Sequence, residues 1–348
     1  MMYDSHDEIF RQGEMLLKEY ETIWEKRFEI REFFGREDYD EIVFLACGSS
    51  YWASLSAAMT MSRELGKRCV TVKSGDVVLN QPYYKKCFSR PLVIAPSRSG
   101  NTTETLQAVK LFQESYESRV YSIVEYEDAK IKEMADLVVS IPFCNERSVC
   151  QTRSFSAMYL GMVLTAGILS ENEILLKDLK QYLEDFTVHA STAEEGVKKI
   201  LESYPEMQSM VALGHGPQYG VTVEGAYINI EMAQLPAHYY SLLEWRHGPI
   251  VLADGSYLVC ITCGDQVNRE LEEAMAAETR EKKARVLTIS DRNDFVQADY
   301  QLSLGRPAQP ETTALFSVMV MQGFAYYNAL RLGVDPDHPA QLVPWISI

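Results

Sequence analysis

The sequence is poor in the features that mark membrane, secreted and nucleic-acid-binding proteins. No stretch approaches the ~20 consecutive apolar residues that cross a bilayer, so no membrane partner is expected. The first residues, Met1 to Asp7, are polar and acidic, without the basic start and apolar core of a secretory leader. The expected location is the cytoplasm. Basic residues are in deficit: 33 Lys and Arg face 49 Asp and Glu, for a formal net charge of −16. Nucleic acid demands a dense basic stripe to neutralise its backbone, and none is visible. A small phosphorylated ligand survives that exclusion, because backbone N–H groups at a helix start hold phosphate whatever the global charge.

Paired cysteines and clustered metal ligands are also lacking. The 7 cysteines are an odd, scattered set, with no framework among Cys47, Cys69, Cys87, Cys144 and Cys150. Cys260 and Cys263 form the one C-x-x-C pair, which ends an apolar run and has no second pair after it. They read as buried small residues rather than a redox or zinc site. The 6 histidines are dispersed, so neither a metal nor another cofactor is expected.

What is present is ordinary globular composition, 47% hydrophobic and 24% charged, over 348 residues. That length exceeds one typical domain of ~100–200 residues and suits two. Apolar positions recur at helical spacing through residues 4–34, giving a helical arm in one or two pieces. Buried strands are expected at 41–47, 70–72, 91–95, 119–124 and 137–141, with helices at 51–65 and from the turn after 95 to about 116. A helical stretch covers about 154–203. The pattern then returns, with strands at 209–213, 257–262 and 285–290 and helices at about 219–234, 268–283 and 311–332. Strands interleaved with helices imply parallel sheets. The units starting near Ile42 and Leu92 have counterparts near Met210 and Tyr257, which reads as an internal duplication.

The two halves differ where chemistry is expected. After the strand ending at Ala95 comes Ser97-Arg98-Ser99-Gly100-Asn101-Thr102, and the matching place in the second half is Cys263-Gly264-Asp265-Gln266. A strand–turn–helix offers N–H groups and the positive end of the helix dipole. Ser97, Ser99 and Thr102 add hydroxyls, Gly100 permits close approach, and Arg98 carries a charge whose direction the sequence leaves open. The bland alternative is an ordinary helix cap, but a cap needs one hydroxyl residue rather than a cluster. Cys47-Gly48-Ser49-Ser50 repeats the design on the same sheet edge. Gly214-His215-Gly216-Pro217 imitates a dinucleotide turn, though Tyr219 stands at the third glycine position.

The second half supplies titratable groups. Glu224 and Glu231 lie about two turns apart on one helix, so they share a face. Apolar neighbours there suit a general base, whereas two solvated glutamates are the plain alternative. His247, before Gly248-Pro249, is either an acid/base group or a packed loop histidine.

Together, Ala46-Cys47-Gly48-Ser49-Ser50, Ser97-x-Ser99-Gly100-x-Thr102 and Glu224…Glu231…His247-Gly248-Pro249 resemble the SIS (sugar isomerase) domain family. The resemblance is to the paired domains in the isomerase half of glucosamine-6-phosphate synthase, over about residues 35–348 and without its amidotransferase half. It implies an α/β fold of two tandem doubly wound, flavodoxin-like SIS domains. Their expected extents are 35–165, the phosphate-binding one, and 204–334. A helical arm covers 1–34, a helical linker 166–203 and a tail 335–348.

The resemblance also implies roles. Gly48, Ser49, Ser50, Ser97, Arg98, Ser99, Gly100, Asn101 and Thr102 bind the sugar phosphate, and the segment with Val149 and Gln151 meets the sugar hydroxyls. Glu231 is the proton-shuttling base, Glu224 its supporting carboxylate, and His247 assists ring opening from the neighbouring subunit of a homodimer or higher oligomer. Two departures stand out: Ile228 replaces a family lysine, and Pro344 stands where the synthase has its Schiff-base lysine. These turn the expectation toward stand-alone amino-sugar-phosphate deaminases, fructosamine-phosphate deglycases, whose Arg-His-Gly-Pro run matches Arg246 to Pro249, or plain isomerases. The alternative is a regulatory protein that binds a sugar phosphate without turning it over.

Overall fold

The computed structural model describes residues 3–36, 38–264 and 266–343. Two compact units are built, each around one parallel sheet. The first takes Glu14–Glu146 and Arg153–Lys177. The second takes Asp178–Leu342, Arg147–Thr152 and the N-terminal residues through Gly13.

Among the described residues the N-terminal arm forms three helices, α1 (Asp4–Phe10), α2 (Gly13–Glu25) and α3 (Arg27–Phe34), one more piece than the hydrophobic spacing suggests. The first break has a packing cause. Gly13 lies flat against the Phe186 ring, where a Cβ would stand 2.5 Å from the ring carbon Cγ.

The first sheet follows from β1 (Glu41–Ala46), α4 (Gly48–Leu65), β2 (Arg68–Lys73), α5 (Ser74–Leu79), α6 (Gln81–Tyr84), β3 (Pro91–Ile94), α7 (Thr103–Tyr116), β4 (Val120–Val124) and β5 (Leu137–Ser140). Its strand order is β2-β1-β3-β4-β5, all parallel. Every residue of β1 and β3 is buried, as befits central strands covered on both faces. The helices α8 (Arg153–Ser170), α9 (Glu173–Glu184) and α10 (Phe186–Ser203) come next, and α8 is buried nearly all round against α4.

The second sheet is made by β6 (Ser209–Gly214), α11 (Tyr219–Ala233), β7 (Ala237–Ser241), β8 (Tyr257–Thr262), α12 (Arg269–Glu281), β9 (Arg285–Ser290) and β10 (Tyr300–Ser303). The long closing helix α13 (Pro310–Leu332) packs along α11. Its strand order, read from β7, is β7-β6-β8-β9-β10. Both sheets therefore share one topology, first strand beside the second and third, as in the flavodoxin-like arrangement. The chain is a duplicated doubly wound α/β protein. β7 and β10 are edge strands without a continuous apolar run, the physical reason they are silent in the sequence.

Cys260 and Cys263 are both buried, and burial pushes both thiols up. Among the described residues no helix is long and apolar enough to cross a membrane. After α13 the chain returns to α1, where the Asp337 carboxylate accepts the N–H groups of Asp4 at 2.9 Å and Ser5 at 2.8 Å.

Candidate active site

In a doubly wound sheet ligands are held beyond the carboxyl ends of the strands, where the strand order reverses. In the first unit that point lies between β1 and β3. The loops leaving these strands are the two hydroxyl-rich segments. Gly48, the first residue of α4, has φ +54°, a left-handed conformation that favours glycine. Ser49 and Ser50 follow it and are buried.

The loop from Ser97 to Thr102 is pre-formed by its own bonds. Ser97 donates its N–H to the Ile123 carbonyl at 3.0 Å and forms a parallel bridge with Val124. The Ser97 Oγ accepts the Gly100 N–H at 2.9 Å, and the Ser99 Oγ accepts the Asn101 N–H at 3.1 Å. A serine oxygen that accepts still has its own hydrogen to donate. The Asn101 Oδ1 accepts the Lys130 N–H at 3.0 Å, and the Gly100 carbonyl accepts the Ile131 N–H at 3.1 Å. Gly100 has φ +62°, and a Cβ on it would meet the Ala129 Cβ at 2.5 Å. Thr102 stands at the N-cap of α7 but makes no side-chain cap bond. The cluster does not serve as an ordinary cap.

Arg98 points elsewhere. Its guanidinium pairs with Glu146 at 3.1 Å, with both side chains buried, so its charge is engaged within the protein. The Arg98 carbonyl accepts the N–H groups of Glu125 and Tyr126, each at 3.2 Å. Behind it, the Ser154 Oγ donates to Glu125 at 2.8 Å, and the Ser154 N–H donates to Glu146 at 3.3 Å. Burial, then the Glu146 charge, pushes the Glu125 carboxyl well above the usual range. Glu19 is pushed up likewise, by burial and then by Glu125. This buried acid group is spread from residue 19 to residue 146 of the chain, so no local motif announces it. Lys73 also belongs to this edge. It ends β2, paired in register with Ala46, and its Nζ lies 5.5 Å from the rings of Tyr51 and Trp52. The apolar run that marks β2 in sequence stops at Val72, one residue short of it.

The remaining predicted residues belong to the second unit. The segment with Val149 and Gln151 is fixed at three points. The Glu8 carboxylate accepts the Arg147 and Ser148 N–H groups, Val149 donates to the Asp337 carbonyl at 2.9 Å, and Gln322 donates to the Thr152 carbonyl at 2.9 Å. Gln151 is half-buried, and its Oε1 has no hydrogen-bond partner among the described residues.

On α11, Glu224 is fully buried and Glu231 half-buried, so the shared face runs from the core toward solvent. Tyr227 lies between them, and its phenol is pushed up by burial, then by Glu231 and Glu224. Ile228, in the lysine position, is fully buried. His247 follows the short turn Glu244–Arg246 after β7. Buried Trp245 donates through Nε1 to the Thr279 Oγ1 at 3.0 Å, and Arg246 pairs with Glu278, which pins this loop to α12. His247 itself is exposed, and its ring makes no hydrogen bond among the described residues. The tail position Pro344 lies outside the described residues.

A doubly wound α/β chain with a hydroxyl loop at its first switch point defines the class. Within that class, residues 37–166 match the family model of the SIS domain. The chain's relatives include enzymes named glutamine–fructose-6-phosphate aminotransferase (isomerizing). That of Sulfurisphaera tokodaii is 25% identical over 309 residues, 89% of this chain and 50% of the relative. That of Chlamydia caviae is 26% identical over 359 residues, covering 98% and 58%. The chain thus spans little more than half the length of these relatives. Among solved structures, glucosamine-6-phosphate deaminase from Thermotoga maritima superposes with a TM-score of 0.78 at 25% identity, covering 96% of this chain and 100% of that one. Tagatose-6-phosphate ketose/aldose isomerase from Escherichia coli superposes at 0.80 and 23% identity, covering 99% and 97%, and supports the fold.

Proposed function

We propose that the protein is a homodimeric phosphosugar enzyme that moves a proton between C1 and C2 of a ketose or aldose 6-phosphate, with release of an amine. The observation that carries the proposal is the pre-formed loop, in which Ser97 and Ser99 each accept a backbone N–H and keep an O–H to donate at a helix start. In this reading Gly48, Ser49, Ser50, Gly100, Asn101 and Thr102 complete the phosphate cradle. Arg98 holds the loop through Glu146 rather than touching the phosphate, and Val149 and Gln151 meet the sugar hydroxyls.

Glu231 is the base, Glu224 supports it, and His247, exposed on a pinned loop, reaches the active site of a neighbouring subunit to open the ring or protonate the leaving group. From an open-chain 2-amino aldose, Glu231 takes the C2 proton and returns it to C1. The resulting C2 imine adds water and yields the ketose and ammonia. A 1-amino ketose runs the mirror course: the proton goes from C1 to C2, and hydrolysis of the C1 imine gives the aldose and the free amine. The substrate brings its own nitrogen in both courses, so a buried isoleucine at 228 is compatible with them.

The deaminase-like branch is favoured by the deaminase structure, which matches over its whole length at 25% identity. Glucosamine 6-phosphate, fructose 6-phosphate and fructoselysine 6-phosphate are the substrates to test, reading released ammonia, released lysine and exchange with deuterated water of the C2 proton of the aldose or the C1 protons of the ketoses. Binding of these sugars without exchange or release would instead identify a sensor.

A further inference from the structure

The second sheet has a switch point of its own, between β6 and β8, where the loops after Gly214 and Thr262 leave the carboxyl edge. Protein side chains fill it. Glu272, the fourth residue of α12, turns back toward the helix start. Its Oε1 accepts the Gly264 N–H at 2.7 Å and faces the His215 Nε2 at 3.0 Å. Gln218 closes another side, donating through Nε2 to the carbonyls of Cys263 at 2.9 Å and Pro310 at 3.2 Å. Glu272 and Gln218 are 0% and 1% exposed, so no solvent reaches either side chain. The packing is close: a Cβ on Gly264 would stand 3.0 Å from the His215 Cε1.

The two copies differ in a complementary way. In the first, the fourth residue of α7 is Leu106, which packs on the core, and the edge carries the hydroxyls of Ser97 and Ser99, each accepting a loop N–H. In the second, an acid occupies that helical position. A carboxylate is favourable there for the reason a phosphate is favourable in the first copy: a loop N–H and the start of a helix both attract negative charge. The fit to a carboxylate is incomplete, however. The Glu272 Oε2 is buried and makes no hydrogen bond among the described residues, where the group is held through one oxygen although both can accept. Burying a charged oxygen without donors is costly, which marks a place not shaped around this side chain.

We infer that the second switch point is an oxyanion cradle of the same design as the first, filled by the chain's own Glu272 carboxylate and thereby shut to phosphate and phosphate monoesters. His215 and the Gly264 N–H are its donors.

The test is a titration of inorganic phosphate into the full chain, by calorimetry and by the shift in Tm. Glu272→Ala is expected to bind one phosphate per chain more than the unaltered protein. Adding His215→Ala is expected to weaken that extra site by about tenfold or more, the effect of losing a hydrogen bond to a charged group. Glu272→Ser serves where the alanine variant folds poorly, and phosphate is expected to raise its Tm more than chloride at equal ionic strength. The inference is overturned if the folded variants bind no more phosphate than the unaltered chain, or gain no more stability from phosphate than from chloride. Because the readout is a difference from the unaltered chain, it stands apart from the reading of the Ser97–Thr102 loop, which the unaltered chain's own titration reports.

Discussion

Arg98, between Ser97 and Ser99 in the chain, and Glu146 form an ion pair 3.1 Å apart with both side chains buried. The pair joins the Ser97–Thr102 loop to a buried acid group and takes from Arg98 the freedom to meet a ligand. Arg98→Met strands the Glu146 charge beside Glu125. It should cost about 3–5 kcal/mol of stability, as breaking buried pairs does, and Arg98→Met/Glu146→Leu should recover most of the loss. Urea denaturation of the three proteins measures both. A double variant no better than the single one would show that the pair contributes more than charge compensation.

The acid group also sets a pH dependence. Glu19 and Glu125 have raised carboxyl pKa values in the folded chain, so the native state holds their protons more tightly than the unfolded state does. Their contribution is full below the ordinary glutamate value of ~4.3 and is lost as pH rises toward the folded values. Each proton contributes a slope of up to about 1.4 kcal/mol per pH unit in that window. Glu19→Gln keeps the shape and removes the titration. Stability measured from pH 5 to 8 should therefore decline less steeply in the variant, and an unchanged slope would mean that Glu19 does not carry the effect.

Ser99→Ala removes one hydroxyl donor and the acceptor of the Asn101 N–H. Affinity for phosphorylated sugars should fall about 10- to 100-fold, the range for a hydrogen bond to a charged group, while unphosphorylated sugars should bind as before. Calorimetry with a sugar and its 6-phosphate separates the two. An equal loss for both would place the phosphate away from this loop.

Glu231→Gln keeps the size of a half-buried side chain on α11 and removes its basicity. Turnover should fall about 10²- to 10⁴-fold with KM little changed, the usual weight of a positioned general base. Exchange of the C2 proton with deuterated water should fall in parallel. A variant that still exchanges at the original rate would assign the base elsewhere.

The central strands and the hydroxyl-rich turn after β3 were legible because their signals are local. β1, β3, β6 and β8 are short apolar runs, and each ends in a turn rich in glycine or small polar residues. Edge strands β7 and β10 lack such a run, so only pairing reveals them. The same limit applies to side chains. The Ser97 Oγ bonds three residues along, within reach of a pattern. Arg98 finds its partner 48 residues away, and His215 meets Glu272 across 57, so direction in space came from the fold alone. The charge on Arg98 was readable, and its target was not.

The contact between Asp337 and the start of α1 sets an order of assembly. The Asp337 carboxylate receives the Asp4 N–H across 333 residues, so α1 docks there only after the segment that follows α13 has emerged. The first unit, bounded by Glu14 and Lys177, has all its strands by mid-chain. Its counterpart must keep the α1 segment waiting while α13 is made, and contacts of such long separation close slowly. On the ribosome, the sheet beside the Ser97–Thr102 loop has all its strands before β6, the first strand of the second sheet, is made.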